Sequence, residues 1–193
     1  MRMISNFARI LPAVLAAVMG SGSISSAQQA APSKTFAEAV KINVCASKPA
    51  KSEGAYMYEK IQKIILRVKF SNADLRQAFE GYTAIISVFG QSAVDSKVKK
   101  ILLQEQAVLS LPCNQSFEHV CEEVSTEFDK RFKYGYYYDG WIVVVKDSSD
   151  KVVLVKASST TMEKLPEAAA NLELKKFYNP KLQPVKPPLH SDM

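Results

Sequence analysis

Histidine is nearly absent. The 193 residues contain two, His119 and His190, beside one tryptophan and three cysteines. A metal centre needs three or four converging ligands, and a Cys–His nucleophile needs its base within hydrogen-bond reach. Either chemistry would therefore rest on one of those two imidazoles. The seven glycines are scattered. No glycine-rich phosphate loop, G-x-S-x-G elbow, H-E-x-x-H helix or acidic calcium loop occurs, so no cofactor is implied and no catalytic residue is assigned. Long apolar runs are missing too. A membrane-spanning helix takes roughly 20 apolar residues, whereas Ile10–Met19 (ILPAVLAAVM) is half that length and no later stretch approaches it.

What is present at the N-terminus points to export. Arg2 and Arg9 make a basic start with no acid before Glu38. The apolar decamer follows, then small polar residues 20–26, and Ser25-Ser26-Ala27 fits a small-x-small cleavage site. Residues 1–27 are read as a cleavable signal, which makes the mature chain secreted, or periplasmic if the source is bacterial. Loss of the two arginines lowers the formal net charge from +6 to +4. That is mild and dispersed. The densest basic spot, Lys97, Lys99 and Lys100, lacks the stripe and motif of a nucleic-acid binder. The chain is not expected to be an integral membrane protein.

An oxidising compartment favours one disulfide among Cys45, Cys113 and Cys121, with one thiol left over. On one helical stretch Cys113 and Cys121 would lie roughly 12 Å apart, beyond disulfide reach. Cys45–Cys113 is therefore the expected bridge, with Cys121 a buried free thiol on an apolar face. The odd cysteine also offers a route to a disulfide-linked homodimer. Asn114-Gln115-Ser116 is an N-glycosylation sequon, relevant in a eukaryotic source.

Periodicity predicts a helix-rich α+β domain over 34–178, after a short leader at 28–33. Thr35 with Glu38 forms a T-x-x-E capping box for a helix to about Cys45. A loop follows at 46–54. Met57, Ile61, Ile64, Ile65 and Val68 fit a helical stripe over 55–68. Further helices are expected from Ser71 or Asn72 to Phe89, from Ser92 with Asp95 toward Leu111, from Ser116 to Lys133, and from Pro166 to Phe177, making five or six in all. The pattern changes at Tyr136. Asp139-Gly140 between two β-favouring runs is a hairpin signal, Asp147–Asp150 is a second turn, and Val152–Val155 a third strand. The result is a three-stranded antiparallel meander whose middle strand is apolar on both faces and so needs two covers. Residues 179–193, with four prolines between 180 and 188, are read as a flexible tail.

Candidate sites are few. On a helix His119 and Cys121 point to different sides, so no metal site is assigned. Glu118, Glu122, Glu123 and Glu127 include the paired carboxylates that a small secreted hydrolase would use. Tyr136, Tyr138 and Trp141 on the hairpin form an aromatic cluster too large for one buried face, and such amphipathic aromatics suit a contact surface. Locally, Glu127-Phe128-Asp129-Lys130-Arg131-Phe132 followed by Trp141-Ile142-Val143-Val144 resembles the dynein light chain family. The glycine-serine signature that should follow is replaced by Lys146-Asp147-Ser148-Ser149, so nothing is carried over. The expectation is a secreted, non-enzymatic binding protein that contacts an unknown protein, peptide or glycan through the Tyr/Trp hairpin. The alternatives are the carboxylate hydrolase or a disulfide-linked structural or oligomeric factor.

Overall fold

The computed structural model describes residues 33–47, 50–53 and 60–188. The expected signal, most of the leader and His190 lie outside these residues, as does the start of the helix expected at 55–68. Strand, not helix, dominates what is described. Eleven strands and three helices of one turn or so replace the expected five or six helices, so the fold is β, not α+β.

The cause is visible in one segment. In Leu66–Asn72 (LRVKFSN) Leu66, Val68, Phe70 and Asn72 are buried, while Arg67 and Lys69 are exposed. That is the period of two that a half-buried strand requires. Ile61, Ile64 and Val68 satisfy the helical period equally well, and long-range pairing decides between them. The chemistry read as helix caps also serves turns. Asn72 Oδ1 accepts from Asp74 N at 2.9 Å, and Ser92 Oγ accepts from Val94 N at 3.1 Å; both residues sit at strand ends. One cap is real. Thr35 N donates to Glu38 Oε2 at 2.8 Å and opens α1 (Phe36–Ala39), a single turn rather than a helix to Cys45.

Two antiparallel sheets result. The smaller has the order β1 (Val40–Ala46), β4 (Leu66–Asn72), β7 (Ser116–Val120). The larger runs β11 (Phe177–Tyr178), β6 (Lys99–Leu111), β5 (Phe79–Ser92), β9 (Tyr134–Lys146), β8 (Val124–Asp129), β3 (Lys60–Ile64), β2 (Ala50–Glu53), with β10 (Val152–Ala157) paired to β9. The pairs β4–β7 and β3–β8 are the two halves of one ribbon. It leaves the larger sheet and enters the smaller one at Ile65 on one strand and at 121–123 on the other. Such sheet-switching bends form the corners of β-sandwiches. Cys121 N donates to Leu66 O at 2.9 Å, and Ser47 N to Ile65 O at 2.9 Å, fixing the bend.

The inner faces meet in a core of Leu66, Val68, Phe70, Ile86, Leu109 and Val143, all at most 1% exposed. The far face of the larger sheet forms a second core. Phe89, Ile101, Ile142 and Val144 lie there under Met162, Ala169, Leu172 and Leu182. These come from α2 (Thr160–Glu163), α3 (Pro166–Ala170) and the chain beyond. The run Ile142–Val145 is therefore buried on both faces, the arrangement expected from its composition. Pro166 does open a helix, but one of five residues.

Two further expectations are corrected. Asp139-Gly140 is not a hairpin turn, because β9 runs straight through it. Phe89 pairs with Gly140 and Gly90 with Tyr138, which leaves Asp139 as the extra residue of a β-bulge. Asp139 forms an ion pair with Lys99 of β6, and a side chain at Gly140 would collide with Ser158 Oγ. Residues 179–185 are not a loose tail either. Leu182 is 2% exposed, Val185 N donates to Phe177 O at 3.0 Å, and Asn179 N to Gln183 O at 3.0 Å.

Candidate functional site

Strand geometry reverses the reading of His119 and Cys121. Residues two apart on an extended chain share a face, and β7 alternates outward Glu118 and Val120 with inward Phe117 and His119. Cys121 continues the inward row into the sheet-switching bend and is 4% exposed. Facing them from β6 is Glu105, on the same inward row as Ala107, Leu109 and Leu111. Glu105 Oε2 accepts from His119 Nε2 at 2.7 Å, and its Oε1 accepts from Glu122 N at 2.8 Å. The ligand-type atoms of Glu105, His119 and Cys121 all lie within 4.8 Å of one another. The Glu105 and His119 side chains stay about one-fifth exposed, at 19% and 23%, so the group sits at the rim of the inter-sheet core with an opening to solvent.

The electrostatics define what the thiol can do. Burial pushes Cys121 up to about 12, and the Glu105 carboxylate adds to this by its charge and by accepting a hydrogen bond from the thiol. A nucleophilic cysteine needs the reverse, a lowered value beside a cation. The arrangement thus favours the neutral thiol over the thiolate. It is a carboxylate, an imidazole and a thiol brought together from two sheets. Glu105, 14 residues before His119 in the chain, carried no motif; only inter-sheet packing selects it.

Of the three expected contact residues one is buried and two are half-buried. Tyr136 is 7% exposed, with its ring 6.2 Å from Phe177 and Lys100 Nζ 5.0 Å above it. Tyr138 and Trp141 are half-buried against the inter-sheet core. Gln62 Oε1 accepts from Tyr138 N at 3.0 Å, and Ser158 Oγ from Trp141 N at 3.1 Å. The aromatic cluster packs against the inter-sheet core and Phe177, and a more exposed aromatic lies next to it in the β8–β9 turn. Buried Asp129 holds that turn, its Oδ1 accepting from Arg131 N at 2.7 Å and Phe132 N at 3.1 Å. Lys133 and Gly135 take positive φ. At the tip Phe132 is 69% exposed between exposed Lys130, Arg131 and Lys133. Lys130 Nζ also lies 4.5 Å over the Tyr137 ring.

The other predicted residues are dispersed. Cys45 is exposed, Cys113 half-buried and Cys121 buried, all as free thiols. The expected Cys45–Cys113 bridge is absent. Asn72, the β1 partner of Val40, donates from Nδ2 to Pro112 O, so Cys113 turns at that end of the sheet. Cys45 lies five residues further along β1, roughly 16 Å away. A thiol-linked homodimer would accordingly use the exposed Cys45. Asn114 is exposed in its turn. Glu118 on β7, Glu122 and Glu123 in the bend and Glu127 on β8 are all exposed, and Glu123 pairs with Lys63 at 3.2 Å. A 330 Å³ cavity does contain two acids, Asp147 and Asp150. Asp147 Oδ1 is occupied by the N–H groups of Ser149 and Lys151, and Asp150 by Lys146.

Among the described residues no helix is long and apolar enough to cross a membrane. No family model matches the chain, and no curated protein does. Among solved structures, a Northeast Structural Genomics Consortium target is similar over 65% of this chain and 90% of its own, at 9% identity and a TM-score of 0.36. A protein from Akkermansia muciniphila covers 65% of this chain and 74% of its own, at 15% identity and a TM-score of 0.32. The β-glucosidase of Kluyveromyces marxianus is similar over 61% of this chain and 14% of its own, at 17% identity and a TM-score of 0.27. At those scores the likeness carries no functional argument. What the described residues define is a class: an antiparallel β-sandwich with a carboxylate–imidazole–thiol group at its corner and a basic, aromatic-tipped turn at one edge.

Proposed function

We propose that the protein is an exported, non-enzymatic binding module that docks on anionic membrane surfaces through the β8–β9 turn. The observation that carries this reading is Phe132, 69% exposed, at the centre of four consecutive exposed residues of which the other three are cationic. A phenylalanine ring in water forgoes about 1.5–3 kcal/mol of burial, and each cation beside an anionic leaflet gains about 1 kcal/mol. With the two flanking lysines these amount to on the order of 4 kcal/mol, enough for a peripheral, salt-sensitive contact. A protein partner would bury a broad patch of about 800 Å² on each side. Here the apolar part is one ring flanked by charge. A bilayer accepts that shape, since headgroups meet the cations and the boundary below them takes the ring.

Co-sedimentation of the full exported chain with phosphatidylcholine vesicles, with and without phosphatidylglycerol, tests this. Binding should require the anionic lipid, fall with added salt and be lost in Phe132→Ser. Equal partitioning on both vesicle types, or an unaffected Phe132→Ser variant, overturns it. So does binding to an acidic peptide or glycan while the vesicles are ignored.

A further inference from the structure

The carboxylate–imidazole–thiol group at the corner has a property that inter-sheet packing does not require. Two aliphatic side chains would join the sheets there as well as Glu105, His119 and Cys121 do. Instead the fold collects one oxygen, one nitrogen and one sulfur ligand from strands that face each other across the core. All three lie within 4.8 Å of one another. In a tetrahedral site with bonds of 2.0–2.3 Å, ligand atoms lie roughly 3.3–3.7 Å apart. The His119–Glu105 contact of 2.7 Å therefore opens by less than about 1 Å, and no contact to the sulfur need close by more than about 1.5 Å. Rotation of the Glu105 and His119 side chains, both about one-fifth exposed, can make that adjustment.

The surroundings are those of a supported metal site. Glu105 Oε1 is held by Glu122 N at 2.8 Å, which orients the carboxylate and leaves Oε2 for an ion. Backbone hydrogen bonding from Cys121 N to Leu66 O fixes the bend that carries the sulfur. Such outer contacts tune ligands in known metal centres. One-fifth exposure of Glu105 and His119 provides a route in, and Glu122 is exposed beside it. Thiolate with imidazole selects a borderline-soft transition ion over magnesium or calcium.

We propose that Glu105, His119 and Cys121 bind one divalent ion of the zinc class, with a fourth position open to water. The ion displaces the Nε2 proton of His119, which leaves to solvent while Nδ1 carries the ring proton, and takes the freed Nε2 lone pair. It takes Cys121 as thiolate, and the thiol proton leaves to solvent.

The test is cobalt titration of the full exported chain carrying Cys45→Ser and Cys113→Ser, so that Cys121 is the sole thiol. One equivalent of Co²⁺ should bind with a near-ultraviolet sulfur-to-cobalt charge-transfer band, and one equivalent of Zn²⁺ should abolish that band. The band should vanish in Cys121→Ser. Affinity should fall by roughly 10–100-fold or more in Glu105→Gln and in His119→Ala. Zinc should also raise the melting temperature of the parent chain. Absence of the band and of any zinc-dependent stabilisation in the folded parent chain overturns the proposal and leaves a metal-free polar clasp. Equal binding by the Cys121→Ser variant also overturns it. Neither result bears on vesicle binding by the β8–β9 turn.

Discussion

Replacing Leu182 with alanine separates a docked C-terminal segment from a loose one. Leu182 is 2% exposed and lies in the second core with Ile101, Ile142 and Tyr178. Truncating a leucine that buried removes the transfer free energy of its methyl groups and leaves a cavity, together about 2–5 kcal/mol. The lower half applies here, because Leu182 sits on an outer layer formed by a short turn that can partly collapse. The expected cost is thus about 2–3 kcal/mol. For a domain of this size each kcal/mol shifts the melting temperature by roughly 2–4 °C, so the midpoint should fall by about 4–12 °C. A thermal melt reads this shift, and urea unfolding followed by far-ultraviolet circular dichroism reads the free energy, with the slope unchanged so that the urea midpoint reports stability alone. Lys186→Ala, an exposed position just past the Val185–Phe177 hydrogen bond, is the control and should stay within about 0.5 kcal/mol. A Leu182→Ala variant as stable as that control would refute the docking of residues 179–185.

Asn72 is 2% exposed, and its Nδ2 donates to the carbonyls of Gln77, Leu111 and Pro112. Asn72→Asp keeps the shape and removes the donor, so it should cost roughly 2–4 kcal/mol in the same urea assay; a neutral result would mean those carbonyls have other partners. In the metal-free protein Cys121 should resist iodoacetamide at pH 8 while Cys45 reacts, as read by peptide mass. The sign of its pH effect follows. The folded thiol is held up to about 12 against an ordinary 9.0, so above pH 9 the unfolded chain loses this proton while the folded chain keeps it. Stability should therefore decline between pH 9 and about 12, and less steeply in Cys121→Ala, as thermal melts across that range would show.

Local chemistry was legible wherever a residue acts on its near neighbours. The Thr35–Glu38 capping box forms, Pro166 starts a helix, and the 147–150 turn joins β9 to β10. Runs in which two periods coincide were not legible. Val124 and Phe128 are four apart, which suits one face of a helix and also one face of a strand. Strands covered on both sides, such as Ile142–Val145, lose the alternation that identifies them. The Asp139-Gly140 pair was misread for a similar reason. A bulge and a type I′ turn both tolerate that dipeptide, and the β5 partner decides between them.

Sequence by itself determined the charged, apolar and small stretches of the N-terminus, the positions of caps and turns, and the need to cover both faces of the Ile142–Val145 strand. These depend on interactions within a few residues. Tertiary structure alone decided that β7 is extended, and hence that His119 and Cys121 share a face. It also brought Glu105 to them from the opposite sheet, buried Tyr136 and exposed Phe132. Each of those outcomes depends on which strand pairs with which, a free-energy balance over the whole sandwich that no local window contains.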